Sequence, residues 1–171
     1  MNANVQQRRL VLRAQSGDRD AFDVLLRDIA PPLLRYVARV TGDAAMADDV
    51  VQDTLITIVR KIAWLDDPAL FRPWAYRIAS REAFRALKKQ RRYVEHTHET
   101  AVDEITADPW QRERLLASLE KLSPASRAVI TLHYLEEMPL SEVAAVLDLP
   151  AGTVKSRLAY GLAQLRKEHP A

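Results

Sequence analysis

The densest concentration of chemically active side chains is a run in which aromatic and cationic residues alternate. Residues 70–92 have the sequence LFRPWAYRIASREAFRALKKQRR, and the part from 77 to 92 holds seven Arg or Lys and one Glu, a net charge of +6. Cationic groups bind phosphates, and aromatic rings stack on unpaired bases. The run therefore predicts a surface for single-stranded nucleic acid. Its candidate residues are Phe71, Arg72, Trp74, Arg77, Arg81, Arg85 and Lys88.

The apolar members of this run have a second interpretation. Trp74, Ile78 and Phe84 recur at helical spacing, which is also the pattern of a buried helix face. The basic residues are therefore the better evidence for nucleic-acid binding.

A second candidate group lies in residues 140–167, LSEVAAVLDLPAGTVKSRLAYGLAQLRK. We predict a short helix over 142–147, capped by Ser141, with an inner face of Val143, Ala144 and Leu147. A turn at 148–150 precedes a longer helix that Thr153 caps or begins. Short helix, tight turn and polar second-helix start are typical of a helix-turn-helix, although a plain helical hairpin remains the alternative. The second helix would offer DNA the following residues: Thr153, Lys155, Ser156, Arg157 and Tyr160.

A third group is acidic and lies beside an apolar stripe. Asp49 and Asp53 are one helical turn apart and share a face. Asp48 and Asp49 have a plainer alternative, since acids near a helix N-terminus complement its dipole. Metal or acid–base chemistry is disfavoured because no His or third ligand is in register. His96 and His98 have the spacing of a zinc-binding pair, but a coincidence within a linker is the favoured interpretation.

The elements that must position these groups are helices, since only four glycines occur and helical periodicity dominates. One apolar stripe runs from Phe22 to Val40 across Pro31-Pro32, which predicts two helical pieces or one kinked helix ending at 41–42. A second stripe comprises Val51, Leu55, Ile58 and Ile62. Asp66-Asp67-Pro68 interrupts the pattern, and we expect the basic helix to start near Pro73.

Between the two halves lies an acidic segment. Residues 93–110 carry five acids and no Lys or Arg, with weak periodicity. We predict an all-α protein with two small helical domains, 8–92 and 111–169, joined by this acidic linker. The C-terminal domain is expected to be a helix-turn-helix.

Composition excludes several functional classes. The chain has no Cys, which removes disulfides, thiolate nucleophiles and Cys-based zinc sites. No leader-like N-terminus or apolar run of about 20 residues occurs, so we expect a cytoplasmic protein without membrane insertion. Gly-rich phosphate loops, metal clusters and nucleophile motifs are missing, so neither a cofactor nor catalytic activity is expected.

The C-terminal motif resembles a known family. The segment SPASRAVITLHYLEEMPLSEVAAVLDLPAGTVKSRL, and above all its ending PAGTVKSRL at 150–158, is similar to region four of extracytoplasmic-function sigma factors. The resemblance continues upstream through residues 17–62 and 70–92, which are similar to the family's domain two. It implies a factor that binds core RNA polymerase and directs it to a promoter.

The resemblance also implies roles for residues. The second helix would dock on the clamp coiled coil of the polymerase through Asp49, Gln52, Asp53 and Ile56. The basic run would melt and read the minus-ten element, with the 65–72 loop capturing an extruded base. The helix-turn-helix would read the minus-thirty-five element. Partners are therefore core RNA polymerase, through its clamp coiled coil and flap, promoter DNA and, as commonly in the family, an anti-sigma factor.

The chain departs from the family pattern at two places in domain four and two in domain two. Asp148 stands at the usual glycine of the turn, and Ala159-Tyr160-Gly161 replaces basic residues after the motif. Arg81 and Arg85 stand where the family usually has Asn and Asp, which puts the minus-ten preference in doubt. The rival interpretations are a stand-alone helix-turn-helix regulator, which leaves the acidic helix unexplained, and an enzyme, for which no motif exists.

Overall fold

The structure is a computed structural model that describes residues 3–94 and 118–168. Its elements are helices throughout those ranges, and the all-α prediction is confirmed. The N-terminal unit, residues 3–94, has four α-helices. In the C-terminal unit, residues 118–168, three α-helices follow the helical residues 118–120. The α-helices of both units are α1 (Ala3–Gln15), α2 (Arg19–Thr41), α3 (Ala44–Lys61), α4 (Phe71–Val94), α5 (Pro124–Ile130), α6 (Leu140–Leu147) and α7 (Ala151–Glu168).

Helix α2 is one continuous helix that contains both prolines, and it ends where the sequence predicted. The Asp18 carboxylate caps its start by accepting from the Ala21 N–H at 3.0 Å. Gly42 ends it in the left-handed region, with φ 71° and its N–H donated to the Ala38 carbonyl. One residue later, Asp43 caps α3 by accepting from the Met46 N–H. The sharp corner between α2 and α3 thus comes from a glycine followed by a capping acid.

The predicted break after the second stripe is a pair of 3₁₀ turns, Ile62–Trp64 and Pro68–Leu70. Gln15 fixes this loop, because its side-chain amide donates to the carbonyls of Ile62 at 2.9 Å and Leu65 at 2.8 Å. The second 3₁₀ turn continues directly into α4, which therefore starts at Phe71 instead of near Pro73.

In the C-terminal unit, Ser123 caps α5 and Pro124 occupies its first position, as predicted. Two other capping predictions are wrong. Helix α6 begins at Leu140 after Pro139 and has no side-chain cap, so Ser141 lies inside it. Thr153 is the third residue of α7. The inner face of α6 is formed by Val143 and Val146, with Ala144 and Leu147 only half-buried.

Gly161 is a packing residue of α7. A Cβ atom built on it would lie 2.6 Å from Cδ1 of Ile130 and 3.6 Å from Cδ1 of Leu122. These contacts belong to a small core that holds α7 against α5 and is formed by Leu119, Leu122, Ile130 and Leu165. The departure from a basic residue at this position thus has a steric explanation.

The two units share one apolar core. It extends from Val11 of α1 through α2, α3 and α4 into the C-terminal unit, where Val129, Leu132 and Val143 are fully buried. Helix α5 packs on α2, and α6 packs on α4. The sequence predicted two domains but gave no indication of this packing between them.

The steric role of Gly161 predicts different stabilities for two glycine variants of one helix. Gly161→Leu inserts a side chain where Ile130 and Leu122 already lie, so we expect a loss of about 1–3 kcal/mol in the free energy of unfolding. Gly152→Leu is the matched control, because its added Cβ meets no atom within 4 Å apart from its chain neighbours and the backbone of its own helix. Urea unfolding followed by circular dichroism measures both. Equal stabilities of the two variants would contradict the packing role.

Candidate nucleic-acid interface

The basic run forms the part of α4 that faces both solvent and the C-terminal unit. Its side-chain exposure increases along the helix, from 38% at Arg72 through 43% at Arg77 and 56% at Arg81 to 72% at Arg85. Lys88 is also exposed. Arg85 is held by Glu82 on the same helix, at 2.7 and 2.8 Å. The predicted cationic side chains therefore form one stripe along α4.

Two arginines of this stripe bind a single carboxylate of the C-terminal unit. Asp148 accepts from Arg81 Nε at 3.0 Å and Nη2 at 2.7 Å, and its other oxygen accepts from Arg77. Partial burial acts to raise the pKa of Asp148, but the hydrogen bonds and charges of Arg81 and Arg77 outweigh it and hold that pKa below its usual value. Asp148 is therefore ionised at neutral pH and neutralises part of the stripe.

A second carboxylate of the C-terminal unit, that of Glu136, contacts α4 nearer to the start of the helix. Glu136 is 8% exposed. It accepts from Arg72 Nη2 at 3.0 Å, and its backbone carbonyl accepts from the same atom at 2.8 Å. The phenol of Tyr76 donates to the same carboxylate oxygen. Burial and the Glu136 carboxylate raise the pKa of Tyr76 far above its usual value, so this phenol remains a neutral donor.

An irregular backbone places Glu136 at this contact. Helix α5 runs into a π turn, Thr131–Leu135, which closes with the Glu136 N–H donating to the Thr131 carbonyl at 3.0 Å. Glu137 then adopts the left-handed region at φ 56°. Single π turns often occur at functional positions. Glu136 and Tyr76 were not among the residues predicted from the sequence. Neither their residue types nor their spacing indicated a pair across 60 residues.

The aromatic candidates divide between core and surface. Phe71 is fully buried, so in this conformation its ring packs in the core and is not presented to a base. Trp74 is half-buried, 6.2 Å from the Phe71 ring centre. It lines a cavity of about 390 Å³ between the two units, together with Leu65, Leu70, Ala145 and Val146. Trp64, which the sequence did not single out, ends the 3₁₀ turn Ile62–Trp64 and is 74% exposed.

The acidic candidates lie on an exposed face of α3. Asp49, Gln52, Asp53 and Ile56 are all exposed at spacings of three, four and seven, on the side opposite buried Val50, Val51 and Ile58. Val59 continues this face at 49% exposure. Because α3 begins at Ala44 and Asp43 caps it, Asp48 and Asp49 lie beyond the first turn. The helix-dipole explanation is therefore weaker than the sequence suggested.

The outer face of α7 carries the remaining candidates. Lys155, Ser156 and Tyr160 are exposed, whereas Thr153 and Arg157 are half-buried. The Ser156 hydroxyl donates to the Thr153 carbonyl at 3.0 Å. Val154 and Leu165 hold the opposite face in the core. Asp148 ends α6 in the left-handed region, at φ 53° and ψ 44°, as its residue type predicted.

Over 3–94 and 118–168, no group of three or more metal-ligating side chains occurs. Within the same ranges no helix is both long and apolar enough to span a bilayer. His96, His98 and nearly all of the predicted linker lie outside the described residues.

Comparisons with known proteins identify the family. Residues 25–93 match "Sigma-70 region 2" and residues 118–167 match "Sigma-70, region 4". The RNA polymerase sigma-E factor of Streptomyces coelicolor is 32% identical over 150 residues, which cover 86% of this chain and 85% of that protein. The chain belongs to the sigma-70 family. It falls in the extracytoplasmic-function class, and its function is to direct core RNA polymerase to promoters.

Further similarities support this sigma factor's class and fold. The extracytoplasmic-function sigma factor SigW of Bacillus subtilis is 29% identical, with 92% of this chain and 94% of SigW covered. The solved structure of CnrH in complex with the cytosolic domain of CnrY has a TM-score of 0.71 at 28% identity, covering 94% and 95% of the two chains. The sigma factor RpoE in complex with the anti-sigma factor NepR, from Bartonella quintana, has a TM-score of 0.73 at 22% identity, covering 86% and 95%.

The buried Glu136 pair predicts unequal effects for two tyrosine variants. Tyr76→Phe removes a donor from a nearly buried carboxylate, so we expect a loss of about 1.5–3 kcal/mol in the free energy of unfolding. Tyr36→Phe removes only a neutral bond to Ser80, 2.7 Å long, and should cost about 0.5–1.5 kcal/mol. Urea unfolding of both variants is the measurement. A loss for Tyr76→Phe no larger than that for Tyr36→Phe would contradict the charge-assisted role.

Proposed function

We propose that this sigma factor docks on core RNA polymerase through α3, opens and reads the minus-ten element with α4, and reads the minus-thirty-five element with α7. In this scheme residues 8–92 form domain two, 93–110 the linker and 111–169 domain four. The observation that carries the proposal is the exposed face of α3, where acids and aliphatic side chains stand together and no DNA-binding role suits them.

The docking face combines two properties of protein interfaces. Ile56 is 41% and Val59 49% exposed, so the face has an apolar centre. Asp49 and Asp53 precede these two residues on the same exposed face. Acidic groups there favour a basic partner surface and speed the encounter. Gln52 between them adds a neutral donor and acceptor.

The DNA-reading roles follow from side-chain chemistry. Arg77, Arg81 and Arg85 form a stripe suited to the phosphates of a single strand, and Trp74 with exposed Trp64 supplies rings for unpaired bases. On α7, Arg157 is the residue for a bidentate base contact, because its planar fork matches the acceptors of guanine. Lys155 contributes a point charge to a phosphate.

The remaining partners and properties are proposed on the same basis. An anti-sigma factor is a further partner. One solved structure of similar fold is a sigma factor bound to the anti-sigma factor NepR, and another is CnrH bound to the cytosolic domain of CnrY. The chain would act in the cytoplasm with the polymerase and would have no catalytic activity. The stand-alone regulator is disfavoured, because it leaves the α3 face without a role.

Core binding should depend on the α3 face. Asp49→Lys combined with Asp53→Lys reverses two exposed charges, so we expect polymerase affinity to fall at least tenfold while the melting temperature stays within about 3 °C. Asp23→Lys with Asp28→Lys is the matched control, because it changes the net charge equally at exposed positions of α2. Pull-down of core polymerase and promoter-dependent run-off transcription measure the effect. Normal holoenzyme formation by the α3 variant would refute the assignment.

Two substitutions in α7 should distinguish a base contact from a phosphate contact. Arg157→Ala is expected to cost about 1–3 kcal/mol, mainly at one base position of the upstream element. Lys155→Ala should weaken all promoters about equally and reduce the salt slope by about one unit. Lys167→Ala, at the far end of α7, is the control and should change neither. Holoenzyme binding to single-base promoter variants at several salt concentrations is the measurement. Sequence-blind losses for both variants would remove Arg157 from base reading.

A further inference from the structure

The loop between α3 and α4 has one buried side and one exposed side. Ile62, Leu65 and Pro68, spaced three residues apart, are buried. Side chains at this spacing eclipse each other in 3₁₀ geometry, so they pack together on the N-terminal unit. Trp64, at 74% exposure, and Leu70, at 52%, lie on the other side. An aromatic ring and an aliphatic side chain are therefore accessible on the same short loop.

One side chain from a distant helix holds the backbone of this loop. Nε2 of Gln15, the last residue of α1, donates to the carbonyls of Ile62 at 2.9 Å and Leu65 at 2.8 Å. Since both partners are carbonyl oxygens, the nitrogen of the amide must face them. The Ile62 carbonyl also accepts from the Leu65 N–H at 3.1 Å, which closes the first 3₁₀ turn. Gln15 thus binds the turn at which the chain leaves α3.

The corner after α1 fixes the position of Gln15. Gly17 adopts the left-handed region, at φ 89°, and its N–H donates to the Ala14 carbonyl at 3.0 Å. Asp18 accepts from Nε of Arg13 at 2.8 Å while it caps α2. Helix α1 also packs on both 3₁₀ turns of the loop. The amide therefore reaches the loop from an element that is itself held at both sides of residue 15.

We propose that Gln15 is a positioning residue for the minus-ten element, which holds the 62–70 loop in the conformation that receives an extruded base. This inference rests on the proposed function, in which Trp64 of the same loop supplies a ring for unpaired bases. Gln15 lies upstream of residues 25–93, the segment that matches the family's region 2. The inference therefore gives α1 a part in promoter opening.

The physical basis is the cost of ordering the loop. A loop that is already ordered in the free protein loses less conformational entropy when a ligand binds to it. Without the Gln15 amide, the carbonyls of Ile62 and Leu65 would take water as partner, and Trp64 would sample more orientations. The cost of ordering would then fall on the step in which the base is captured. Docking through α3 and duplex contact through α7 use other elements, so they would not carry it.

The test uses variants that differ in the donor at residue 15. Gln15→Met keeps the length of the side chain and removes the donor, and Gln15→Glu places acceptor oxygens against the same carbonyls. Gln15→Lys is the rescue variant, because its ammonium group can donate to both carbonyls. Gln6→Met is the matched control, since it makes the same change at an exposed position of the same helix. Ile29→Val removes one buried methyl group from α2 and controls for a general loss of stability.

The first measurement is hydrogen exchange of the free chain. The N–H groups of Leu65 and Leu70 close the two 3₁₀ turns, at 3.1 and 3.0 Å. They should exchange about threefold to tenfold faster in Gln15→Met and Gln15→Glu, and at nearly the wild-type rate in Gln15→Lys and Gln6→Met. Unchanged exchange in both donor-free variants would overturn the positioning role.

The second measurement is holoenzyme binding to a fluorescein-labelled single strand that carries the minus-ten sequence of a transcribed promoter. Each nucleotide in turn is made abasic. In the wild type, loss of the captured base should weaken binding by about fivefold to a hundredfold, because stacking on a protein ring is lost.

The donor-free variants should show a penalty for that base about threefold or more below the wild-type penalty, with binding of the abasic strand unchanged. Gln15→Lys and both controls should stay within about twofold of the wild-type penalty. An undiminished penalty in the donor-free variants would overturn the inference, as would an equal decrease in Ile29→Val. A wild-type holoenzyme that shows no penalty at any position would instead refute the proposed minus-ten role itself.

Discussion

The fold depends on how a nearly buried carboxylate is satisfied at the junction of the two units. Glu136 is 8% exposed and has two side-chain donors, Arg72 and Tyr76, both on α4. Removing the oppositely charged partner of a buried ion typically costs about 3–5 kcal/mol, whereas an exposed ion pair contributes about 1 kcal/mol or less. Glu136 therefore fixes the position of the C-terminal unit on α4 more strongly than the half-exposed Asp148 does.

Other features of the structure follow from that position. The π turn and the left-handed Glu137 bring the Glu136 side chain to α4. With Glu136 in place, α6 lies along α4, and its end brings Asp148 to Arg77 and Arg81. Behind the polar contact, Tyr36 and Tyr76 pack edge to face at 5.2 Å and connect it to the core of the N-terminal unit. The cationic stripe is thus positioned by the same helix that supports the junction.

Local signals in the sequence predicted the parts of the fold that local chemistry controls. Thr41-Gly42 marked the end of α2, because glycine takes the left-handed region without a steric cost. Ser123-Pro124 marked the start of α5, and the periodicity of α3 placed Asp49 and Asp53 on one face. Ser141 and Thr153 were misplaced as caps, because Pro139 and Ala151 set the actual helix starts. A cap depends on the first residue with helical dihedrals, which residue type alone does not fix.

The junction between the units was beyond sequence reasoning for a different reason. The partners of Glu136 lie 60 and 64 residues away, and a π turn shifts its side chain off the ordinary helical register. The basic stripe was correctly found from composition, but its charge alone cannot show whether phosphate or carboxylate occupies it. Phe71 illustrates the same limit, since its spacing fits a stacking surface and a core equally well, and the structure buries it.

Asp148 contributes little net energy to the junction of the two units, because a backbone cost offsets its ion pairs. Asp148 adopts a left-handed backbone, which costs a non-glycine residue about 1–2 kcal/mol, less for Asp than for most others. Its two half-exposed pairs return a comparable amount, about 0.2–1 kcal/mol each. The acid therefore adds little to the stability of the fold, and the position of α6 on α4 depends mainly on Glu136 and on the apolar core that the two units share.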